Sequence, residues 1–551
     1  IEVCHLEGWR GETLNAQFLL YTGRGAEAVT CKVKDLKSQN ATFSSDIVKA
    51  QFVRYTLADM ASPNCRCYRD PEQPAILSPD LIDTLKVFNI GACSTRPVWV
   101  TVSIPHDAKP GIYESEILVS YSGGRRISMP FTVEVIDQTL PEYKDWKFHL
   151  DLWQHPSAVA RMENLEMWSD EHFEVLKSYA QSLAALGQKS ITVCASEIPW
   201  DGQSCYVELT YKGNVFEYSM IPVTRRTDGS FHYDYSIMQR YIDLCTEAGI
   251  SGDIEIFGLV NVWTQNPQMP KEMCPDYPEQ LRIRYLDEAD GCLKYVRDAE
   301  VFKDYVRSLE RYFIETKQIE RVRIAADEPG DVEKYRTSLA MLAELAPNFR
   351  CKCAINHAEF IEEFHDRIDD FVPYLRCTVV EYDRLMQYYK DYPDKKFLWY
   401  VCCGGASPNN FLRTAPIENR MTGLMTSKLR LDGFLRWNYC IWPDDPRKDI
   451  RYSHFEAGDT NFVYPGYNGK VLLSLRYKNL QRGIADYELL EAIRAAKGDE
   501  VADALLAKVI HIVDVKDFYD ENRCKPSEEM FSLNFEDYNA LKAEMLKLLS
   551  L

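Results

Sequence analysis

The sequence predicts an α/β protein: a (β/α)8 TIM-like barrel preceded by an all-β sandwich, with C-terminal helices packed on the barrel. Three patterns predict it. Residues 1–140 alternate apolar and polar positions between Gly- and Pro-rich turns, as half-buried strands do. Residues 141–480 alternate short apolar runs with amphipathic segments. Residues 481–551 carry helical periodicity alone.

In the first region the strands are expected at Ala16–Tyr21, Ala28–Val33, Ala50–Tyr55, Val98–Ile104, Ile112–Val119 and Ile127–Val135, with at most a helical turn near Asp80–Leu85. Turns such as Lys109-Pro110-Gly111 and Ser122-Gly123-Gly124 separate them, which fits a sandwich. In the second region strands are expected at Phe148–Leu152, Ser190–Cys194, Asp253–Leu259, Arg321–Ala325, Cys351–Ile355, Cys377–Val380, Lys396–Val401 and Gly433–Asn438. Helices are expected between them at Glu171–Leu186, Ile237–Ala248, Leu286–Gln318, Val332–Leu345, Phe360–Asp370 and Asn419–Arg430. Continuous apolar strands in that number fit a barrel, and a doubly wound open sheet satisfies the same count. Long insertions follow the second strand (about 200–235) and the third (about 261–285). The first reads as a hairpin of Cys205–Leu209 against Val215–Met220. The last region suggests helices at Asp486–Ala495, Glu500–Ile510 and Tyr538–Leu549.

Composition narrows the function. A formal charge of -19, from 64 basic and 83 acidic residues, repels nucleic acid and anionic membranes. No run of apolar residues is long enough to span a bilayer. The chain opens on Ile1, so its start is expected to be processed or trimmed, and no signal peptide is read. The 17 cysteines include the close pairs Cys65/Cys67, Cys351/Cys353 and Cys402/Cys403. Neighbours on a strand point to opposite faces, so Cys402 and Cys403 are poor joint ligands, and most cysteines read as small buried hydrophobes in a reducing or anaerobic setting. Only 10 His are present, with no HExxH spacing, no dinucleotide-binding glycine fingerprint and no GxSxG. No metal and no cofactor are expected.

Function in a barrel collects at the C-terminal strand ends. The fourth strand runs into Ala326-Asp327-Glu328-Pro329-Gly330, two acids with small residues before them and turn residues after. Helix capping is the bland reading, but Asp331 already serves it. An adjacent carboxylate and partial burial both favour a proton on an acid, which a general acid needs. A retaining glycosidase ordinarily sets a second carboxylate opposite, about 5–5.5 Å away. The seventh strand ends Trp399-Tyr400-Val401-Cys402-Cys403 and offers none; Glu197, Glu381 and Asp383 remain. Other strand ends supply His149, Asp151, Trp153, His155, Trp200, Asn261, Trp263, Asn356, His357, Tyr400, Asn409, Asn410, Trp437, Asn438, Tyr439, Trp442, His454, Asp459 and Tyr464. Aromatic platforms beside directional polar groups suit a sugar, although each ring serves equally well as core.

The chain resembles glycoside hydrolase family 123, the β-N-acetylgalactosaminidases. The resemblance rests on Ala326-Asp327-Glu328-Pro329, Leu398–Cys403 with Pro408-Asn409-Asn410, Asp432–Tyr439, Gly458–Gly466 and Arg482–Glu488. It departs where Arg482 and Ala485 replace two acids of the family pattern. The resemblance implies retaining hydrolysis of terminal β-linked N-acetylgalactosamine on glycans such as those of glycosphingolipids. The substrate's 2-acetamido oxygen would attack, Glu328 would act as general acid then base, and Asp327 would orient the acetamido N–H. His149, Asp151, Glu197, Trp200, Asn261, Asn356, Trp399, Tyr400, Trp437, Asn438, Tyr439, Trp442, Asp459 and Tyr464 are the candidate sugar contacts. It also implies a bacterial, periplasmic or secreted protein, with a cytoplasmic address left open. The alternatives are a β-hexosaminidase that also accepts N-acetylglucosamine and a non-catalytic glycan-binding protein on a hydrolase fold. The protein partners are unknown.

Overall fold

Alternation produces two facing sheets at the start of the chain. In the computed structural model, which describes residues 3–59, 74–199, 215–262, 277–403, 405–452, 455–521 and 523–550, the first sheet runs Cys4–Arg10, Arg125–Thr139, Gly111–Tyr121, Ala26–Val33, Phe88–Ile90. The second runs Thr13–Thr22, Ser94–Ser103, Val48–Asp59, Ala75–Ile82. Phe131, Val133 and Val135 from one sheet meet Leu14, Val100 and Val102 from the other, each buried. Burying such a side chain stabilises by roughly 1.5–3 kcal/mol. Asp80 lies on the strand Ala75–Ile82 rather than opening a helical turn. Its carboxylate accepts from Tyr464 Oη at 2.7 Å and pairs with Arg476 at 3.0 Å, fastening the second sheet to the rest of the chain.

Eight parallel strands follow, in the order His149–Leu152, Gly433–Arg436, Lys396–Tyr400, Asp370–Pro373, Arg350–Ile355, Val322–Asp327, Asp253–Phe257, Ser190–Cys194. The ring closes between the two ends of that order, His149–Leu152 and Ser190–Cys194, largely through glutamine amides. Leu152 N donates to Gln188 Oε1 at 2.9 Å and Thr192 N donates to Gln154 Oε1 at 2.7 Å, beside one backbone bond from Lys189 N to Leu150 O at 2.9 Å. Successive residues face opposite sides of a strand. Phe257, Ala325, Ala354, Val372, Leu398 and Leu435 therefore fill the interior, while Ile324, Phe397, Trp399 and Phe434 pack outward.

Three expectations fail here. The helix expected at Phe360–Asp370 runs Glu359–Phe364, and Asp370 opens a strand. The sixth strand is Asp370–Pro373, and Leu375–Val380 is a helix. The β-branched run Thr378-Val379-Val380 reads as strand locally, yet tertiary packing decides such short segments. Glu381 and Asp383 thus sit at a helix junction and not at a strand end. The stretch from 286 onward opens with a hairpin, Arg284–Asp287 against Cys292–Tyr295, and its helix begins only at Ala299. The expected hairpin partner Cys205–Leu209 lies outside the described residues; Phe216–Glu217 pairs with Ile198–Pro199.

The helix Leu475–Lys497 packs on Ile417–Leu429 backbone to backbone. A Cβ at Gly423 would lie 1.9 Å from Gly483 O, so glycine is required at the crossing. Arg420 and Asp486, both buried, lock it with bonds of 2.6 and 3.1 Å.

Candidate active site

The fourth barrel strand ends on Asp327, which shares the inward face with Ala325. Glu328 then takes φ of +44°, a left-handed conformation that costs a side-chain-bearing residue roughly 1–2 kcal/mol. Its N–H donates to Ala354 O at 3.0 Å, so the kinked backbone is tied to the fifth strand. The kink breaks the alternation that would send consecutive residues to opposite faces, and the Glu328 side chain meets the inward face of the seventh strand, where Tyr400 Oη donates to Glu328 Oε1. Both acids are half-buried, above the small side chains of Ala325 and Ala354. Burial and the nearby Glu328 charge push the Tyr400 phenol well above its usual range, so it stays a donor. Asp331 caps the following helix, accepting from Lys334 N at 2.9 Å, which leaves Asp327 and Glu328 free of that duty.

Aromatic side chains surround this mouth. The rings of Tyr374 and Tyr400 lie 5.3 Å apart, Trp437 and Phe455 5.0 Å, and Trp153 and Phe257 4.9 Å. Trp437 is partly exposed, and its Nε1 donates to Asp459 Oδ1 at 3.0 Å. Asn261, itself at φ of +50°, donates from Nδ2 to the carbonyl of Asp327 and so braces the acidic turn. Asn356 stands exposed just past the fifth strand.

Several expected sugar contacts are placed elsewhere. His149 is the first residue of its strand, at the base of the barrel, 3.6 Å from Asp253; burial lowers its pKa well below the usual value. Asp151 is fully buried and binds Lys352 inside the barrel. Both share the inward face but lie too deep for the mouth. Trp399 points outward, its Nε1 donating to Thr426 at 2.7 Å. Tyr439 bonds Ser182 at 2.7 Å, Trp442 Nε1 donates to Val463 O at 2.7 Å, and Tyr464 serves Asp80. Asn438 is buried, accepting from Cys440 N at 3.1 Å, and Asp459 is buried against Arg436 at 2.6 Å. Each of these six side chains makes a hydrogen bond within the protein.

Glu197 is buried and engaged by Tyr295 at 2.6 Å and Arg284 at 3.0 Å, both from the 284–295 hairpin. Burial raises its pKa, against the pull of those partners. Trp200, Trp263 and His454 lie outside the described residues. Tyr374 and Phe455 escaped the sequence reading. Tyr374 directly follows the misplaced sixth strand, so correct placement of that strand would have exposed it; Phe455 lies in irregular structure and left no periodic signal. A cleft of about 1450 Å³ opens between the helices Asp170–Ala184 and Ser236–Glu247, and neither acid lines it. Two of its carboxylates are engaged within the protein, Asp170 by Arg240 at 2.7 Å and Asp243 by Gln239 at 2.7 Å.

Comparison with known proteins agrees with this fold. The family model described as glycoside hydrolase 123, catalytic domain, matches residues 153–493, and that of the glycoside hydrolase 123 N-terminal domain matches residues 2–121. A family 123 glycoside hydrolase from Clostridium perfringens, solved in a study of glycolipid glycan hydrolysis, superposes with a TM-score of 0.77 at 20% identity, covering 99% of this chain and 92% of that one. A putative glycoside hydrolase from Bacteroides vulgatus gives a TM-score of 0.32 at 11% identity, covering 90% of this chain and 79% of that one. Among curated proteins none matches. With more than half its length matched by the catalytic-domain model, the chain belongs to glycoside hydrolase family 123.

Proposed function

We propose that this glycosidase removes terminal β-linked N-acetylgalactosamine with retention, using the substrate's own 2-acetamido oxygen as nucleophile. Glycosphingolipid oligosaccharides are the glycan class in view, in keeping with the glycolipid glycans of the Clostridium perfringens relative. The observation that carries the proposal is the adjacent pair Asp327 and Glu328 at the barrel mouth, with Tyr400 on Glu328.

Glu328 protonates the glycosidic oxygen as the bond to the anomeric carbon breaks. The acetamido carbonyl oxygen attacks that carbon, giving an oxazolinium-type ring. Asp327 accepts the acetamido N–H and balances the positive charge that grows on nitrogen. Glu328, now ionised, takes a proton from water, whose oxygen opens the ring with net retention. Intramolecular attack avoids the entropy of bringing in a separate nucleophile. The other carboxylates support this reading by being occupied: Glu197 with Arg284, Asp459 with Arg436 and Asp151 with Lys352.

The test compares the 4-nitrophenyl β-glycosides of N-acetylgalactosamine and N-acetylglucosamine. The proposal expects strong preference for the galacto sugar. Turnover of both within a few-fold would overturn that assignment.

A further inference from the structure

The strand Cys4–Arg10 is the edge of the first sandwich sheet and pairs in parallel with Arg125–Thr139, His5 opposite Thr132 and Glu7 opposite Glu134. Residues two apart on a strand share a face. One imidazole and two carboxylates therefore converge, with a ligand atom from each of His5, Glu7 and Glu134 inside 4.8 Å of the other two. Like charges directly opposite one another destabilise a strand pair. Among the described residues, the ion pair in this group is His5 with Glu134, and no Lys or Arg side chain pairs with either carboxylate.

The imidazole is already oriented. His5 Nδ1 lies 2.8 Å from Thr132 Oγ1. In the tautomer that donates Nδ1–H to Thr132, Nε2 carries the lone pair and faces Glu134 Oε2 across 3.5 Å. In that tautomer a cation can sit between the two acceptors. Ligands bound tetrahedrally at about 2.0–2.1 Å sit roughly 3.3 Å apart, close to this separation. Metal-bound histidines commonly give their second ring N–H to an orienting group, and Thr132 Oγ1 stands where it can accept one from His5. A mixed imidazole and carboxylate set favours zinc-like first-row ions over calcium or magnesium, which take oxygen alone.

We propose that His5, Glu7 and Glu134 form a binding site for a zinc-like divalent cation that pins the edge strand to its neighbour. The site lies on the sandwich and takes no part in glycoside cleavage. A cation there neutralises the opposed carboxylates and crosslinks a strand otherwise held from one side, which also blunts an exposed sheet edge.

The test titrates the full chain, first stripped with chelator, with zinc chloride by calorimetry, alongside His5→Ala, Glu7→Gln and Thr132→Val. Free cysteines can bind zinc too, so the informative quantity is the difference between proteins. His5→Ala and Glu7→Gln are expected to lose one zinc ion per chain and the accompanying rise in Tm, with aryl-glycoside hydrolysis unchanged. Thr132→Val is expected to keep that ion but bind it roughly 10–100-fold more weakly, an effect a plain surface ion pair would not produce. Circular dichroism checks that each variant is folded. Superimposable isotherms for wild type and the two ligand variants, or no zinc bound by the wild type, would overturn the proposal.

Discussion

At the base of the barrel, His149, Asp253, Arg323, Asp370 and Lys396 stand at the first turns of their strands and pair with one another, while at the mouth Asp327 and Glu328 remain half-exposed. Just above the base, Lys352 binds Asp151 and Glu255, all three buried. One ammonium between two carboxylates leaves a surplus negative charge. Burial, with Asp151 beside it, pushes the Glu255 carboxyl up to about 8, so the surplus is removed by a proton. Charge at the base is thus closed off from solvent and balanced internally. Charge at the mouth is concentrated in two adjacent acids, on a strained turn, where a substrate can complete it. The difference separates charge that holds the barrel together from charge that the proposed mechanism uses.

That contrast can be broken from either end. Glu328→Gln should lower kcat/KM on natural glycans by roughly 100- to 10,000-fold, with a milder loss on aryl glycosides that need no proton to depart, and leave Tm nearly unchanged. Steady-state kinetics on both substrate types checks it; equal losses would contradict the acid role. Lys352→Met should do the reverse. It strands Asp151 and Glu255 without a cation and should cost about 3–5 kcal/mol in urea unfolding, while the folded fraction keeps its kcat.

Tyr400→Phe removes a hydrogen bond to a carboxylate, worth roughly 1.5–3 kcal/mol, at a residue that bridges scaffold and mouth. It should reduce kcat more than it raises KM, because it loosens Glu328 and not the sugar platform; a pure KM effect would assign Tyr400 to substrate binding instead. The smallest effect concerns pH. Glu255 has a folded-state pKa above the ordinary 4.5, so the native chain holds its proton more tightly than the unfolded chain. Its contribution to stability is full at acid pH and is lost as pH rises from about 4.5 through about 8. Urea midpoints of Glu255→Gln should therefore gain on the wild type as pH is raised across that window. His149 acts in the opposite sense, since its depressed pKa withdraws stability as pH falls through the usual imidazole range.

Much of the framework was readable from periodicity. Ser190–Cys194 and Val332–Leu345 form as expected, because a buried parallel strand and a capped amphipathic helix leave strong local signals. The sixth strand was not readable: Asp370–Pro373 is short and ends in proline, while the β-branched residues nearby belong to a helix. For the site, composition located the acidic turn but not the neighbours. Alternation says that Trp399 and Tyr400 point oppositely without saying which faces inward; only the closed ring assigns Tyr400 to Glu328 and Trp399 to Thr426. It likewise places His149 and Asp151 on one face without giving their depth. Glu328 defeats alternation altogether, since its left-handed backbone turns a residue of the wrong parity toward the mouth.

The most direct test of the mechanism is a series of aryl β-N-acylgalactosaminides in which fluorine progressively replaces hydrogen on the acyl methyl group. Fluorine withdraws electrons from the carbonyl oxygen that is proposed to attack. If that oxygen is the nucleophile, kcat/KM falls steeply with each fluorine. Rates that do not change along the series, or a glycosyl group trapped covalently on a protein carboxylate, would contradict the account.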